Sequence, residues 1–236
     1  MIDIKNIDCM EYMATCKDKQ FHLAIVDPPY GINAPNMQMG QNLSRKNGWH
    51  QTESTAVKLK KGRLNSGGGH FKGRNLTTMN CNWDSQKPTK EYWDELRRVS
   101  MDQIVWGGNY FTSNLPESRC WVCWDKIQPW DNFSQFELAW TSFDKPAALI
   151  SLSNRGGAND ENKIHPTQKP IRLYKYLLKK FALEGMNILD THGGSMSSAI
   201  AFHDFKCEAV ICEIDKIYFD SGKKRFEQHQ RQTQLF

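Results

Sequence analysis

The sequence predicts an α/β sandwich, and three observations carry that reading. Short apolar runs of strand length alternate with stretches of helical periodicity. The second half settles into a strand, turn, helix, strand, helix series. Of the 236 residues, 39% are apolar and 11% aromatic, which is enough to bury a substantial core in one large domain.

Taken in order, residues 9–15 read as a helix. Phe21–Val26 is too short an apolar run for a helix and reads as a buried parallel strand ending at Asp27. Residues 91–99 give another helix, followed by a strand at 103–106. Residues 120–124 and 136–143 are aromatic-rich strands separated by turn chemistry. Pro170 opens a helix with Ile171, Leu173, Tyr174, Leu177, Leu178 and Phe181 on one side, and Gly185 is its expected stop. A strand at 186–190, a Gly/Ser turn, a helix at 197–203, a strand at 207–213 and a polar helix from Lys216 complete the series.

Charge is unevenly placed. The chain carries 31 Lys+Arg against 26 Asp+Glu, a net +5. Residues 33–80 hold Arg45, Lys46, Lys58, Lys60, Lys61, Arg63, Lys72 and Arg74 against the single acid Glu53, so this segment is strongly basic and the remainder slightly acidic. It lacks hydrophobic periodicity and contains a Gly67–Gly68–Gly69 run. Residues 33–85 therefore read as a basic loop insertion in a single domain spanning 1–236. A solvated loop and a polyanion-binding arm are both consistent with its composition. No window approaches the length of a membrane span, and the amino terminus lacks the pattern of a secretory signal. The 7 Cys are odd in number and scattered, which suits a reduced cytosolic chain.

Two strand ends carry chemistry. At the first, Asp190-Thr191-His192-Gly193-Gly194-Ser195-Met196 runs from a strand through a small-residue turn into a helix. Glu213 follows at the end of the next strand, near the spacing of a carboxylate that grips ribose hydroxyls. No Lys follows the glycines, which argues against a triphosphate ligand. At the second, Asp27-Pro28-Pro29-Tyr30 ends a buried strand. The prolines remove two N–H donors and leave rigid carbonyl acceptors beside a carboxylate and an aromatic face. Such a set can hold the exocyclic amine of a planar base stacked on Tyr30, as an enzyme acting on a flipped base requires.

These two motifs, with His165-Pro166-Thr167-Gln168-Lys169-Pro170 between them, resemble the DNA adenine-N6 methyltransferases of the β arrangement, in which the target-base half precedes the cofactor half. The resemblance implies a Rossmann-like S-adenosylmethionine-dependent methyltransferase sandwich, its mostly parallel sheet carrying an antiparallel strand and its motifs in circularly permuted order. It assigns Asp27, Pro28, Pro29 and Tyr30 to the flipped adenine. It assigns His165, Thr167, Gln168, Lys169, Asp190, Gly193, Gly194, Ser195 and Glu213 to S-adenosyl-L-methionine, with Asp8 and Cys9 matching the family's early Gly-Asp motif. The basic insertion, unmatched by the motifs, becomes the expected contact to double-stranded DNA, with no metal and no membrane involved. The family's habits add pairing of two copies, a restriction endonuclease as partner where the enzyme belongs to such a system, and a cytoplasmic setting in a bacterium or phage-infected cell.

The turn departs from the family's DPF-x-GSG: Thr191 and His192 replace Pro-Phe, and Met196 replaces the last Gly. A stacking surface is lost, and Met196 is expected to add bulk where backbone comes close to the cofactor. Three alternatives stay open at this stage. They are N4-cytosine methylation, although such relatives more often begin the motif with Ser; a non-catalytic DNA-binding relative; and an RNA or protein-glutamine methyltransferase, although these usually begin it with Asn. Cys120 and Cys123 form a lone CxxC and read as structural. Trp106, Trp121, Trp124 and Trp140 read as core. Gly107-Gly108-Asn109-Tyr110 either lines the base pocket beside Tyr30 or forms an ordinary turn.

Overall fold

The computed structural model describes residues 1–32, 84–127, 134–153, 164–165 and 167–233. Among these residues, eight strands form one sheet in the order β1-β8-β7-β2-β3-β5-β4-β6. They are β1 (Ile2–Lys5), β2 (Phe21–Val26), β3 (Ser100–Trp106), β4 (Trp121–Asp125), β5 (Phe136–Thr141), β6 (Ala148–Ser151), β7 (Asn187–Asp190) and β8 (Glu208–Cys212). The helices are α1 (Cys9–Ala14), α2 (Lys90–Val99), α3 (Ile171–Phe181), α4 (Ser197–Asp204) and α5 (Lys216–Thr233). Among the described residues every pairing is parallel except those of β5 with β3 and with β4, so β5 runs against the other strands described. The mostly parallel sandwich with its antiparallel strand is the architecture expected.

Alternation along the central strands sorts side chains between two cores. Leu23 and Ile25 of β2, with Ile104 and Trp106 of β3, pack on the face covered by α3 and α4. Ala24, Val26 and Val105 pack on the opposite face, against Met13 of α1 and Tyr92, Trp93 and Leu96 of α2. Burial on both faces explains why Phe21–Val26 reads as an apolar run interrupted by His22, which is exposed. The helices on the first face are further tied by Asp204, which pairs with Lys175 of α3 at 2.6 Å and with His229 of α5 at 2.7 Å.

The elements differ from the sequence reading in specific ways. Strands β1 and β6 were not anticipated, because four residues apiece with half-buried patterns give little periodicity. They form the two ends of the sheet, where only one neighbour is available. Helix α3 ends at Phe181, four residues before Gly185. Its last turn is closed by the Ala182 N–H on the Leu178 carbonyl, while Gly185, at φ 81°, shapes the turn into β7. Among the described residues no helix is long and apolar enough to cross a membrane. The basic insertion lies almost entirely outside the described residues, and all eight of its Lys and Arg do.

Candidate active site

Strand order creates the site. From β2 the chain continues to β3 on one side, whereas from β7 it continues to β8 on the other, so the order reverses between β2 and β7. In open α/β sheets the crevice at the carboxyl ends of such a pair is where ligands bind. The register Leu23↔Ile188 and Ala24↔Leu189 sets the two chemistry-bearing strand ends, Asp27 and Asp190, side by side.

At the end of β2, each oxygen of the Asp27 carboxylate holds one donor. Its Oδ1 accepts from the Tyr30 hydroxyl at 2.7 Å, and its Oδ2 accepts from Lys169 Nζ at 2.5 Å. Burial first, and then the Asp27 charge, push the Tyr30 phenol well above its ordinary pKa, so it remains a donor. The Tyr30 ring stacks on Tyr110 with centroids 4.8 Å apart and planes at 14°, and meets the edge of Phe111. Gly107–Tyr110 thus does border Tyr30. Gly107 is held in the left-handed region at φ 66°, and the Gly108–Tyr110 3-10 turn carries Tyr110 over the ring.

Lys169 is the residue the sequence reading placed with the cofactor, and the structure brings its ammonium to Asp27. It is buried between the faces of Tyr30 and Trp106, and Nζ lies 3.2 Å from Glu137 Oε2 of β5. Glu137 in turn pairs through Oε1 with Lys126 at 2.5 Å. Burial works against the Lys169 charge, but the carboxylates of Asp27 and Glu137 outweigh it and hold its pKa above the ordinary lysine value. Burial likewise opposes ionisation of Glu137, and Lys169 and Lys126 together prevail to keep its pKa low. Glu137 and Lys126 were missed from the sequence, where FELAW reads as one more aromatic strand and nothing links it to a position 142 residues from Lys169's partner Asp27.

At the end of β7, Asp190 accepts from the His192 N–H at 3.0 Å and the Ser198 hydroxyl at 2.5 Å. No ion pair reaches it among the described residues. Burial dominates, and the charges of Asp27 and Glu213 add to it, so its pKa is raised to about 7 despite the two hydrogen bonds. Glu213 accepts from the Gly194 N–H at 2.7 Å and from the Asp215 N–H at 2.8 Å, which ties the Gly-rich turn to the end of β8. The Gly193 N–H, bonded to the Cys212 carbonyl, fastens the same turn. Ser195 is buried, its hydroxyl on Ser197 and its carbonyl accepting from Arg225.

Met196 takes φ 58°, the left-handed conformation a glycine adopts freely. Its side chain is fully buried, and Cβ atoms built on Gly193 and Gly222 would fall 2.8 and 2.6 Å from it. The added bulk expected of Met196 is therefore taken up against Gly222 of α5 and the turn itself. Gly222 lies outside any motif, and its role emerges only from this packing.

Around this turn the remaining predicted residues converge. The His165 ring packs at 4.2 Å on Tyr218 and borders Gly194. Thr167 is exposed and bonds His165 Nδ1, while buried Gln168 accepts from the Ile164 N–H. Asp8 caps α1 by accepting from the Met10 N–H at 2.7 Å, and its charge reaches His192. Cys9 begins the same helix and is within electrostatic reach of Glu213. His192 bonds Thr191, which bonds Tyr92 at 2.7 Å. This series of bonds occupies the place of the family's Pro-Phe. Pro28 is buried and Pro29 half-buried beside Asp27.

The matches to known proteins agree with this architecture. Three solved structures cover nearly the whole chain. M1.HpyAVI in complex with SAM matches at 16% identity and a TM-score of 0.56, covering 95% of this chain and 98% of its own. A candidate DNA modification methylase from Thermus thermophilus, complexed with S-adenosyl-L-methionine, matches at 13% identity and a TM-score of 0.53, covering 97% and 96%. The cytosine-N4-specific PvuII DNA methyltransferase matches at 14% identity and a TM-score of 0.55, covering 98% and 90%. At such identities these share the fold. No curated protein matches the sequence. The family model described as DNA methylase, covering N6 and N4 enzymes, matches residues 60–224, well over half of the chain, so this protein belongs to the N6/N4 DNA methylase family.

Proposed function

We propose that this protein transfers the methyl group of S-adenosyl-L-methionine to N6 of an adenine flipped out of duplex DNA. The observation that carries the reading is the pairing of β2 with β7, which sets the Asp27 carboxylate beside the Gly-rich turn at the switch point of the sheet.

The residues present suit a cationic, ribose-bearing cofactor. Asp190 is a buried carboxyl without an ion pair among the described residues, and a cation brought beside it would favour its ionised form. Glu213 spends one bond per oxygen on backbone N–H groups, which leaves lone pairs for ribose hydroxyls. When bound, the cofactor supplies an already activated methyl group on its sulfonium. What remains for the protein is alignment and charge stabilisation. Asp27 and the Pro28 carbonyl accept the two hydrogens of the adenine amine and draw its lone pair out of conjugation. The Asp27 charge then stabilises the positive charge that develops on N6. Each Asp27 oxygen already holds one donor, and a carboxylate offers about four acceptor sites, so the amine has room to join.

The eight Lys and Arg of the 45–74 segment are proposed to meet DNA phosphates, consistent with the concentration of positive charge there. Asp rather than Ser at the head of the DPPY motif supports adenine over cytosine. The test is methyl transfer from labelled S-adenosyl-L-methionine to duplex DNA, with the modified base identified by mass spectrometry after digestion. N6-methyladenine is expected and should vanish in Asp27→Asn. N4-methylcytosine as the product would reassign the base, and no transfer to DNA would remove the reading altogether.

A further inference from the structure

Four buried or half-buried charges alternate in sign across the sheet: Lys126, Glu137, Lys169 and Asp27. Their successive contacts are 2.5, 3.2 and 2.5 Å. The row is neutral as a whole, as a buried cluster must be if it is to avoid a large desolvation penalty. Its members are unequally bonded. Lys169 directs hydrogen bonds to Asp27 Oδ2 and to the Tyr30 hydroxyl. Its contact with Glu137 Oε2, at 3.2 Å, is longer than the 2.5 Å bond to Asp27, and the ammonium is the partner that buried oxygen has among the described residues. A buried carboxylate oxygen held by one long contact gains from a shorter one. Here it stands one short movement from a donor that is committed elsewhere.

The commitment has a consequence for substrate. An amine approaching Asp27 meets an oxygen already neutralised by an ammonium, and two cationic groups on one carboxylate oppose each other as charge develops on the amine. Removing Lys169 from Asp27 would strand a buried cation unless another carboxylate received it. Resting on the proposed role of Asp27, we infer that Glu137 is a second seat for the Lys169 ammonium. As the target amine takes Asp27, the ammonium moves off Asp27 and closes on Glu137 Oε2, and Asp27 keeps its charge for the transition state. Lys169 stays protonated throughout. Glu137 is a positioning residue acting through Lys169, and Lys126 holds it in place.

The test uses the full-length enzyme and measures kcat, KM for a duplex substrate, the Kd for S-adenosyl-L-methionine and Tm. Glu137→Gln keeps the shape and removes the charge of the second seat. It should lower kcat at least 10-fold while the cofactor Kd stays within about threefold, and Glu137→Asp should recover part of the loss. The double variant Lys169→Met/Glu137→Gln has no cation to reseat, so it should be no slower than Lys169→Met alone. A Glu137→Gln enzyme with wild-type kcat, or losses that multiply in the double variant, overturns the second seat. If Asp27→Asn turns over normally, the proposed function fails first. If Asp27→Asn is inactive and Glu137→Gln is normal, only this inference falls. Should Glu137→Gln fail to fold, nitrogen-15 NMR of lysine ammonium groups in the wild-type enzyme decides. The resonance assigned to Lys169 by its loss in Lys169→Met should shift when a methylatable duplex is added with S-adenosylhomocysteine, and an unmoved resonance overturns the proposal.

Discussion

Gly107 carries the ring of Tyr30. A Cβ on Gly107 would lie 2.2 Å from Tyr30 Cε1 and 2.5 Å from its Cζ, closer than atoms can pack, and the residue's φ of 66° is strained for any L side chain. The glycine after β3 is thus what lets the aromatic of the β2 end lie flat under Tyr110.

Gly107→Ala should therefore displace Tyr30, and with it the hydroxyl that bonds Asp27. Methylation is expected to fall 10-fold or more, with the cofactor Kd unchanged because the β7 and β8 ends are untouched. Steady-state kinetics with calorimetric titration of the cofactor checks this, and wild-type turnover would show that the stack is dispensable.

Glu213→Gln should weaken cofactor binding. The charged acceptor shared by Gly194 and Asp215 becomes a neutral one, and charge-assisted hydrogen bonds are worth roughly 1.5–3 kcal/mol. A Kd raised at least 10-fold, about 1.4 kcal/mol, is expected, with DNA affinity in the absence of cofactor unchanged. Loss of DNA binding without loss of cofactor binding would mean that the turn serves another ligand.

Cofactor binding should release protons at mildly acidic pH. Asp190 is protonated below its pKa of about 7, and a cationic ligand favours the carboxylate. Calorimetry at pH 6 in buffers of different ionisation enthalpy should show the release, and Asp190→Asn should abolish it. A buffer-independent enthalpy in the wild-type protein would place the cation elsewhere.

Stability should depend on pH through buried groups of the site. Burial lowers His165 to about 3 and His192 to about 4, so both bind protons on unfolding between pH 4 and 6.5 and lose stability as pH falls through that window. Asp190 works in the opposite direction: its raised pKa means that folding retains a proton the unfolded chain has lost, so its contribution declines as pH rises from 4 to 7. Burial raises Glu213 as well, so it works with Asp190, and the slope read between pH 4 and 6.5 is the balance of the two opposed pairs. Urea denaturation from pH 4.5 to 6.5 measures the slope. His192→Gln should make it less positive, and an unchanged slope would argue against a neutral His192.

Replacing residues 45–74 with a short Gly/Ser linker should weaken DNA binding and leave cofactor binding intact. If about four of the eight basic residues meet phosphates, the slope of log K against log[salt] should become shallower by roughly 3.6. An unchanged slope would assign the phosphate contacts to other residues.

What the sequence by itself determined was local. The run Phe21–Val26 is apolar without alternation because both its faces are buried, so strand, burial and the position of Asp27 follow from composition alone. The helix of residues 171–181 and the Gly-rich turn announce themselves by periodicity and by small residues for equally local reasons. The motif order likewise carries the expectation that the β2 end serves the base and the β7 end the cofactor. Only the tertiary structure decided which charges meet. Lys169 lies within a motif that the resemblance assigns to the cofactor, yet strand order carries its ammonium to Asp27 and to Glu137 on the antiparallel strand β5. Gly107 beneath Tyr30 and Gly222 beside Met196 were equally hidden, because each makes room for a side chain distant in sequence. Periodicity records which way a residue faces. The partner it meets there depends on strand order and register, which are set by the packing of the whole sheet.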